Sequence, residues 1–341
     1  MPRRPTLSDL ARAAGVSLAT VDRALHGRGQ VSGRSLARIR RAAAEIGFHA
    51  PGIGTTPAPR PALRLGFVLH KGGQEFYRNL TRALEQACAA SAGHDITPEF
   101  RYAASQAPDD FCTELEIASR NCAALASSAV THPKVAELGK RLLAGGLPVF
   151  AVLNDFGREA HAGYFGLDNL RVGRIAGWMM AQRLHAGGRV AVFVGGNRWH
   201  GHALRETGFR SALREHAPEA MMLDTLVNLE TRQVTYEATL NLLDTHPDLR
   251  GLYVAGGGME GAIAALREVR PPEKVALIVN ELTAESRAAL ADRYAMMAIA
   301  TPLEALAQRL VARMSACATG VSAPRGAPTF LQPDLWLPES I

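Results

Sequence analysis

The sequence has little cysteine, the residue that forms disulfides and many zinc sites. Its four cysteines are scattered among 341 residues and match neither a zinc-site spacing nor a disulfide framework. They are Cys88, Cys112, Cys122 and Cys317. Such thiols are typical of a reducing compartment. We therefore expect no metal site and no cofactor in this chain.

Long apolar runs are also absent. No stretch is long enough to cross a membrane, which takes about 20 predominantly apolar residues. The chain begins with residues 1–4 (MPRR) and runs directly into a polar, capped helical pattern, whereas an export signal continues with an apolar segment. We expect a cytoplasmic protein with no membrane contact.

The common signatures of catalysis are missing as well. There is no Walker loop and no Ser-His-Asp order with a nucleophile elbow, and the glycines from Gly256 to Gly261 lack the spacing of a dinucleotide fingerprint. His200 and His202 have no third metal ligand in view, which favours an ordinary solvated loop. These absences predict that the chain is not an enzyme.

Positive charge, by contrast, is concentrated at one end. The first 50 residues hold nine arginines and three carboxylates, an excess of six that equals the net charge of the whole chain, +6. The remaining residues are therefore neutral as a group. A small basic segment of this kind is typical of a domain that binds a polyanion such as DNA.

Within this basic segment the sequence has the pattern of a helix-turn-helix. Thr6 can cap a first helix with Asp9 as its reciprocal partner, and Gly15 can adopt the left-handed backbone that ends it. Ser17 can cap a second helix whose buried face includes Val21. The two helices are expected to cross at a tight turn, which leaves the second one available to read DNA.

A third helix is predicted after Ser32, its cap, and before Gly47, its end. With its segments Val31-Ser32 and Glu45-Ile46-Gly47-Phe48, this head resembles the DNA-binding domain of the lactose/galactose repressor (LacI/GalR) family. The resemblance implies an all-α, three-helix helix-turn-helix head over residues 1–50. It also implies that the partner of the head is a double-stranded DNA operator.

The resemblance assigns roles to single residues of the head. It implies that Leu18, Ala19 and Arg23 face base edges in the major groove, and that His26 and Gln30 lie close to the groove. Arg23 is the strongest candidate for sequence reading, because a guanidinium binds two acceptors of guanine at once; a phosphate contact is its alternative role. The residues expected near phosphates are Thr6, Ser17, Thr20, Ser32 and Arg34.

Asp22 belongs to the same DNA-reading set but departs from the family pattern, in which many members have serine. A carboxylate on the reading helix is repelled by phosphate unless it pairs with Arg23, Arg28 or a cytosine amino group. The DNA sequence read by this protein is therefore expected to differ from that read by such relatives.

Residues 51–62 form a predicted linker, because four prolines and two glycines in this segment cannot sustain a helix. Typical members of the family carry here a hinge helix that wedges a leucine into the minor groove. This segment has no leucine. An extended Pro-rich strap is the simpler expectation.

After the linker, continuous apolar runs alternate with helical patterns. The runs are 63–69, 123–126, 149–153, 190–194, 251–255 and 275–279. Buried parallel strands have this appearance, and their alternation with helices predicts right-handed βαβ units. A region of about 280 residues exceeds a typical single domain, so two lobes are expected.

This region resembles the periplasmic-binding-protein-like sensor domain that the same family joins to its head. The resemblance is carried by Gly166-Leu167-Asp168-Asn169 with Gly173 and Gly177, by Arg205 with Gly208-Phe209, by His246-Pro247-Asp248-Leu249, and by Asn280-Glu281-Leu282-Thr283. It implies an α/β, two-lobed domain at 63–341 with two doubly wound parallel sheets. The first lobe is expected at 63–166 and 296–325, and the second at 167–295 and 326–341.

Ligands of doubly wound sheets collect outside the carboxyl ends of the strands, where loops of both lobes face one another. Side chains at these positions form the predicted effector site: His70, Gln74, Phe76, Tyr77, Thr131, His132, Asn154, Asp155, Arg205, Gly256 and Glu281. Packing beneath the first helix is the alternative role of Phe76. A charged pair of Arg205 with Glu281 is expected to give bidentate recognition.

Two segments of this site depart from the common family pattern. Gly256-Gly257-Gly258 stands where many relatives have Asn-Asp; its backbone amides can cradle an anion, or it can form a tight turn without a ligand. Ala300-Thr301 replaces a polar pair. The expected effector is a small polar metabolite such as a sugar, a polyol or a related compound.

Head and sensor together predict a ligand-responsive transcriptional regulator, and repression is the family's commoner outcome. Two heads on a twofold axis read a palindromic operator, so a homodimer is expected, with a tetramer left open. Helices around 171–184 and 231–243 are candidates for the dimer contact. The alternative is a cytoplasmic solute-binding sensor with no specific operator, because the two lobes alone would look the same.

Overall fold

The structure is a computed structural model that describes residues 5–26, 31–48, 60–184, 187–321 and 326–341. The chain divides into two compact units, Met1–Pro61 and Ala62–Ile341. Most of the predicted linker, residues 51–59, lies outside the described residues. The last residue of that predicted segment, Ala62, already begins a strand.

The first unit, the head, contains three helices: α1 (Leu7–Ala14), α2 (Leu18–His26) and α3 (Gly33–Ile46). The predicted capping box of α1 is present. Thr6 Oγ1 accepts a hydrogen bond from the Asp9 amide at 3.3 Å, and the Asp9 carboxylate accepts one from the Thr6 amide at 2.9 Å. Gly15 has the predicted left-handed backbone, with φ of 60°. Local signals therefore set both ends of this helix.

Small and branched apolar side chains close the core of the head. The buried ones are Leu10, Ala11, Ala14, Val21, Ile39, Ala42 and Ala43. Val21 is the buried residue of α2, so most of the surface of that helix stays available. The Arg38 guanidinium donates a hydrogen bond to the Gly15 carbonyl at 2.9 Å, which ties α3 to the turn between α1 and α2.

The second unit contains two sheets, and the first sheet belongs to the first lobe. Its strands are β1 (Ala62–His70), β2 (Asp95–Ala103), β3 (Ala124–Ser127), β4 (Val149–Val152), β5 (Tyr164–Leu167) and β12 (Thr329–Leu331). All run parallel, in the spatial order β12-β5-β4-β3-β1-β2. The helices of this lobe are α4 (Glu75–Ala89), α5 (Pro108–Ser119), α6 (Pro133–Ala144) and α12 (Leu303–Ala318).

The second sheet belongs to the second lobe. Its strands are β6 (Gly188–Val194), β7 (Ala220–Met222), β8 (Leu226–Val227), β9 (Leu249–Val254), β10 (Ala276–Asn280), β11 (Ala295–Ala300) and β13 (Asp334–Trp336). The spatial order is β13-β11-β10-β9-β6-β7, with β8 also on β6, and β13 runs antiparallel to the other strands. Its helices are α7 (Asn169–Ala181), α8 (His200–His216), α9 (Arg232–Thr245), α10 (Met259–Val269), α11 (Ala284–Ala291) and the 3₁₀ turn Pro338–Ser340. The predicted α/β fold with two parallel sheets is confirmed, apart from the edge strand β13.

Two predicted lobe boundaries are wrong. Residues 296–325 are predicted in the first lobe, but β11 pairs with β10 in the second sheet. Residues 326–341 are predicted in the second lobe, but β12 pairs with β5 in the first sheet. The chain changes lobe after β11 and again between β12 and β13, because α12 packs on α4 before the chain returns to the second sheet.

Some classes of site and segment are not found among the residues that the structure describes. No helix there combines the length and apolar character needed to cross a membrane. No three His, Cys, Asp or Glu side chains come together there as metal ligands. His200 and His202 lie in the first turn of α8, so the solvated loop expected for them is wrong.

Glycines let α7 and α8 approach closely. A Cβ on Gly173 would overlap the carbonyl oxygen of Arg205, and one on Gly177 would lie 2.6 Å from the carbonyl oxygen of Phe209. From the other side, a Cβ on Gly208 would overlap a carbonyl of α7. The two helix backbones therefore touch, and this contact fixes the part of α8 that carries Arg205.

Replacing Gly173 with alanine is expected to lower the free energy of unfolding by about 1–3 kcal/mol, because the added methyl group forces the two helices apart. Urea unfolding of the full chain measures the effect. Gly93→Ala is the control, since its Cβ would have no atom within 4 Å. Equal unfolding midpoints for the two variants would contradict the direct backbone contact.

Candidate functional site

One side of α2 in the head is exposed. Thr20 is half-buried there, and its hydroxyl lies 2.8 Å from that of Ser17. Gln30 lies outside the described residues. The exposed members of the predicted DNA-reading set on and beside this helix are Ser17, Leu18, Ala19, Asp22, Arg23 and His26. An α-helix with such an exposed face can enter the major groove, which is about 12 Å wide.

Asp22 and Arg23 have separate partners on this helix. Asp22 pairs with His26, whose Nδ1 lies 3.1 Å from Asp22 Oδ1. The Arg23 Nε donates to the Ala19 carbonyl at 3.2 Å, and its terminal nitrogens make no hydrogen bond to a described residue. The outer edge of the Arg23 guanidinium is therefore open to an acceptor such as guanine.

Three residues predicted near phosphates cap helices. Thr6 caps α1, while the Ser17 hydroxyl accepts from the Thr20 amide and the Ser32 hydroxyl from the Ser35 amide, each at 3.2 Å. Helix N-termini carry a partial positive charge and unpaired amides, which favours nearby phosphates. Exposed Arg34, in the first turn of α3, adds a full charge at one of these ends.

The second unit encloses a cavity between its two lobes. Its empty volume is about 810 Å³ when the space open to solvent at its mouth is included. Residues that follow β1, β3 and β4 line it from the first lobe, and residues that follow β6, β8, β9 and β10 line it from the second. The cavity thus lies outside the carboxyl ends of the strands, where this fold places its ligands.

The structure brings together part of the predicted effector set on the wall of this cavity. These residues are Gln74, Phe76, Tyr77, Asn154, Arg205, Gly256 and Glu281. Phe76 combines its two predicted roles, because it lines the cavity and also packs against the core under α4.

Three other predicted residues lie outside the cavity, and the prediction is corrected for them. Thr131 Oγ1 donates to the Asp155 carbonyl at 2.7 Å. His132 Nδ1 accepts from the Lys134 amide at 3.2 Å and caps α6. Asp155 Oδ1 accepts from the Gly157 amide at 2.8 Å. Their polar atoms organise loops of the first lobe, so a position after a strand was not enough to identify a site residue.

Sequence reasoning missed more than half of the lining residues. The missed polar and aromatic ones are Glu75, Asn169, Trp199, His202, Glu230, Glu260, Asn280 and Thr283. Glu230 follows β8, a strand of only two residues that leaves no readable apolar run. Trp199 and His202 follow β6 directly, so the rule applied to the other strands could have found them.

Arg205 is held in place by two hydrogen bonds. Its Nε donates to Asn169 Oδ1 at 2.7 Å and its Nη1 to the Ala255 carbonyl at 2.9 Å, and only 9% of the residue is exposed. Its Nη2 makes no hydrogen bond to a described residue. Since Asn169 begins α7 at the crossover between the lobes, the guanidinium is fixed on the hinge side of the cavity with one nitrogen free for a ligand.

Arg205 and Glu281, predicted as a charged pair that recognises the ligand, both line the cavity but form no ion pair with each other. Both carboxylate oxygens of Glu281 accept hydrogen bonds from Thr301, one from its amide at 2.8 Å and one from its hydroxyl at 2.7 Å. Burial raises the pKa of Glu281, although the charge of Arg205 acts in the opposite direction. Thr301, which follows β11, therefore holds Glu281 in place, and Arg205 is held by other residues.

Glu230 occupies the glycine-rich turn that was expected to hold an anion or to stay empty. The Gly257 amide donates to Glu230 Oε1 at 3.2 Å. Glu230 Oε2 is buried and has no hydrogen-bond partner among the described residues. Burial raises the pKa of this carboxyl group, while Lys71 counteracts the shift. The protein thus supplies its own carboxylate to this turn.

Two histidines beside Glu230 are neutral at ordinary pH. His70, the last predicted site residue, lies behind the cavity wall and contacts the rings of Tyr77, Phe111 and Trp199. Burial lowers its pKa to about 3, and nearby Lys71 adds to the shift. Burial also lowers the pKa of His202 to about 3, with a smaller effect of Arg205.

Hydrogen bonds join the two lobes beside the cavity. Lys71 Nζ donates to the carbonyls of Leu229 and Glu230 at 3.1 and 3.0 Å. Gln74 Nε2 donates to the Glu230 carbonyl, and Gln106 Nε2 to the Leu229 carbonyl, both at 3.3 Å. The first lobe thus holds the loop between β8 and α9, and the lobes are closed on each other.

Strained backbone surrounds this cleft. Seven non-glycine residues in the described part have positive φ, and five of them flank the cavity or the interlobe bonds: Lys71, Leu153, Leu229, Glu230 and Glu281. Such conformations cost of order 1 kcal/mol each and cluster at ligand clamps. Their positions single out this cleft as the functional part of the two-lobed unit.

Comparisons with known proteins fit both units. Residues 6–50 match the family described as bacterial regulatory proteins, lacI family, and residues 65–320 match the periplasmic binding protein domain. The HTH-type transcriptional regulator GntR of Pseudomonas aeruginosa is 25% identical over 324 residues, which cover 93% of this chain and 90% of that protein.

Solved structures of similar fold include three ABC-transporter solute-binding proteins. The protein of Actinobacillus succinogenes 130z, with bound D-allose, has 14% identity and a TM-score of 0.74. The match covers 82% of this chain and 99% of that protein's chain. That of Agrobacterium vitis, with alpha-D-tagatopyranose, has 18% identity and a TM-score of 0.74, covering 81% and 95%. That of Bacillus halodurans C-125, with myo-inositol, has 17% identity and a TM-score of 0.73, covering 84% and 97%. These likenesses show the fold alone.

Proposed function

Since this chain has a periplasmic binding protein domain at residues 65–320 and matches the lacI family of bacterial regulatory proteins at residues 6–50, we propose that it is a regulator of that family and acts in the cytoplasm as a homodimeric repressor. Its two heads bind the halves of a palindromic operator. A sugar or polyol binds between the lobes and changes the affinity for the operator, because it binds one lobe arrangement better than the other.

The cavity is the observation that carries the effector part of this proposal. Its wall combines the fixed guanidinium of Arg205 with amide and carboxyl groups and with the aromatic rings of Phe76 and Trp199. Hydroxyl groups can donate to and accept from such a wall, and apolar ring faces can lie on the aromatic side chains. The three solved relatives hold polyhydroxylated ring compounds, which supports the same class here.

The operator part is tested by DNA binding. The full chain should bind DNA upstream of its own gene, with a steep loss of affinity on raising salt, because each phosphate contact releases counterions. A thermal-shift screen of sugars and polyols then selects compounds for the same binding assay, since a ligand of the folded state raises the melting temperature. Absence of DNA binding at low salt would favour the solute-binding sensor instead.

Arg23→Ala is expected to reduce discrimination between the operator and mutated operators by about 1–3 kcal/mol, the usual value of a bidentate arginine–guanine contact. Competition binding with a set of single-base operator variants measures the effect. Arg41→Ala, an exposed change on α3, is the control and should not alter sequence preference. A uniform loss on every sequence would make Arg23 a phosphate contact.

A further inference from the structure

Carboxyl groups dominate the wall of the cavity. Its only lining arginine in the described part is Arg205, and His202 is neutral because burial lowers its pKa. Lys71, behind the wall, adds a second cation near Glu230, with 3.9 Å between its Nζ and Glu230 Oε2. The acidic lining residues are Glu75, Glu230, Glu260 and Glu281. Acids therefore exceed bases by two even when Lys71 is included.

Two of these carboxyl groups lack sufficient partners. Thr301 binds both oxygens of Glu281, and the Ala284 amide binds one oxygen of Glu75 at 2.9 Å. By contrast, Glu230 Oε2 is buried without a hydrogen-bond partner in the described part of the chain. The Nζ of Lys71 and the Nε2 of His70 each lie 3.9 Å from this oxygen, beyond hydrogen-bond distance. Glu260 makes no hydrogen bond or ion pair to a described residue. A buried acceptor without a partner is costly, so the site is incomplete without a donor.

Asn280 gives independent evidence that acceptors on the cavity wall lack hydrogen-bond donors. It is 2% exposed, lines the cavity, and uses its Nδ2 to donate to the Tyr253 hydroxyl at 3.1 Å and the Val254 carbonyl at 2.9 Å. Its Oδ1 acceptor has no partner among the described residues. The donors on the wall without a partner among the described residues include the indole N–H of Trp199, the hydroxyl of Ser128 and Nη2 of Arg205.

We propose that the effector carries a basic nitrogen together with several hydroxyl groups, as amino sugars and amino polyols do, and that its ammonium group binds Glu230. This inference rests on the proposed function, because it names the ligand of the same cleft. An ammonium supplies three donors and a positive charge, and hydrogen bonds between ionised groups are the strong ones. Hydroxyl oxygens of the same ligand accept from Trp199 and Arg205.

The same wall excludes anionic compounds. A carboxylate or phosphate that enters the cavity meets four acidic side chains, and the glycine turn that would bind it already holds the Glu230 carboxyl group. Sugar acids and sugar phosphates are therefore expected to bind more weakly than the neutral sugar of the same skeleton.

Calorimetric titration of the full chain tests this preference. The probes are D-glucosamine, D-galactosamine and D-mannosamine, each beside its parent hexose and the corresponding aldonate. At least one amine is expected to bind at least about tenfold more tightly than its parent hexose, since hydrogen bonds to charged groups are stronger by that order. Tighter binding of the hexoses or aldonates, or no detectable binding of any amine, would overturn the proposal.

Variants assign the preference to Glu230. E230Q should bring the affinity for the amine to within about threefold of that for the hexose, measured on the same variant. E260Q, which removes no hydrogen bond, should lower amine affinity by about threefold and keeps the test valid if E230Q does not fold. E137Q, an exposed change on α6, is the control. Full amine preference in folded E230Q would contradict the assignment.

Proton release gives a second readout. Burial raises the pKa of Glu230, and a bound ammonium group lowers it again, so binding of the amine should release protons at a pH between the two pKa values. Titrations in buffers of different ionisation enthalpy measure this release, which E230Q should abolish. Operator binding measured on the same samples distinguishes the two proposals. If only neutral hexoses change operator binding, the proposed regulatory function stands and the proposed preference for an amine is wrong.

Discussion

Replacing Arg205 with alanine is expected to weaken ligand binding about a hundredfold and to leave the affinity of the head for DNA without ligand unchanged. Hydrogen bonds to a charged group contribute about 1.5–3 kcal/mol, and each 1.4 kcal/mol is about a tenfold change in affinity. The guanidinium is already fixed by Asn169 and the Ala255 carbonyl. A ligand therefore loses little entropy in ordering it, and the alanine variant loses the whole contact.

The compound used is the one that the thermal-shift screen selects, and calorimetric titration gives its affinity. Arg205→Lys should fall between wild type and Arg205→Ala, because an ammonium keeps the charge but cannot form the planar pair of bonds to Asn169 and Ala255. Arg214→Ala is the matched control, since Arg214 lies exposed on the same helix, α8.

Arg205 also supports the fold, and the experiment has to separate that role from binding. Arg205→Ala leaves Asn169 Oδ1 without its donor, which costs about 1–3 kcal/mol of unfolding free energy. Unfolding curves show how much of the variant is folded at the titration temperature. If folded Arg205→Ala binds the ligand as tightly as Arg214→Ala does, the guanidinium is a structural group only.

The second large expected effect is a loss of folding stability at acidic pH, caused by His70 and His202. An unfolded chain protonates each histidine near pH 6.5, whereas the folded chain keeps both neutral down to about pH 3. Below pH 6.5 the unfolded state therefore binds protons that the folded state cannot bind. Each histidine lowers the free energy of unfolding by about 1 kcal/mol for every pH unit of acidification in this range.

Glu230 and Glu281 act in the opposite direction. Burial raises the pKa of both, so the folded state takes up their protons at a higher pH than the unfolded state does. Their contribution rises as the pH falls through the raised pKa. The pH dependence of the wild type alone mixes both effects, and a comparison with histidine variants is needed to separate them.

His202→Gln is expected to reduce the acid-dependent loss of stability by about 1 kcal/mol per pH unit between pH 6.5 and 4.5. Urea unfolding at several pH values measures the slope. His70→Gln should do the same. Curves for both variants that run parallel to the wild type would mean that the two buried histidines are protonated in the folded chain.

Local signals in the sequence were enough to predict the head. Thr6, Asp9, Gly15 and Ser17 act within a few residues of where they stand, so the ends of α1 and the start of α2 could be predicted without tertiary contacts. The same holds for the buried central strands, whose apolar runs are continuous. Strand β2 was missed because it lies at the edge of its sheet and only two of its nine residues are buried, which leaves a mixed pattern.

The effector site was only partly predictable. The rule that ligands lie after parallel strands found Gln74, Asn154 and Arg205 on the cavity wall, but it also selected Thr131 and Asp155. A strand end gives the position of a side chain along the chain and says nothing of its hydrogen-bond partners. Neighbouring loops supply those partners. The resulting hydrogen bonds give polar atoms of Thr131 and Asp155 a structural role.

The sequence alone determined that a basic three-helix head precedes a two-lobed α/β unit, because caps, periodicity and charge are local properties of a chain. Only the tertiary structure decided which lobe received β11 and β12 and which carboxyl groups meet in the cleft. Those choices depend on packing between residues that are far apart in sequence. Burial also sets the charge states of His70, His202 and Glu230 there, and burial exists only in the folded chain.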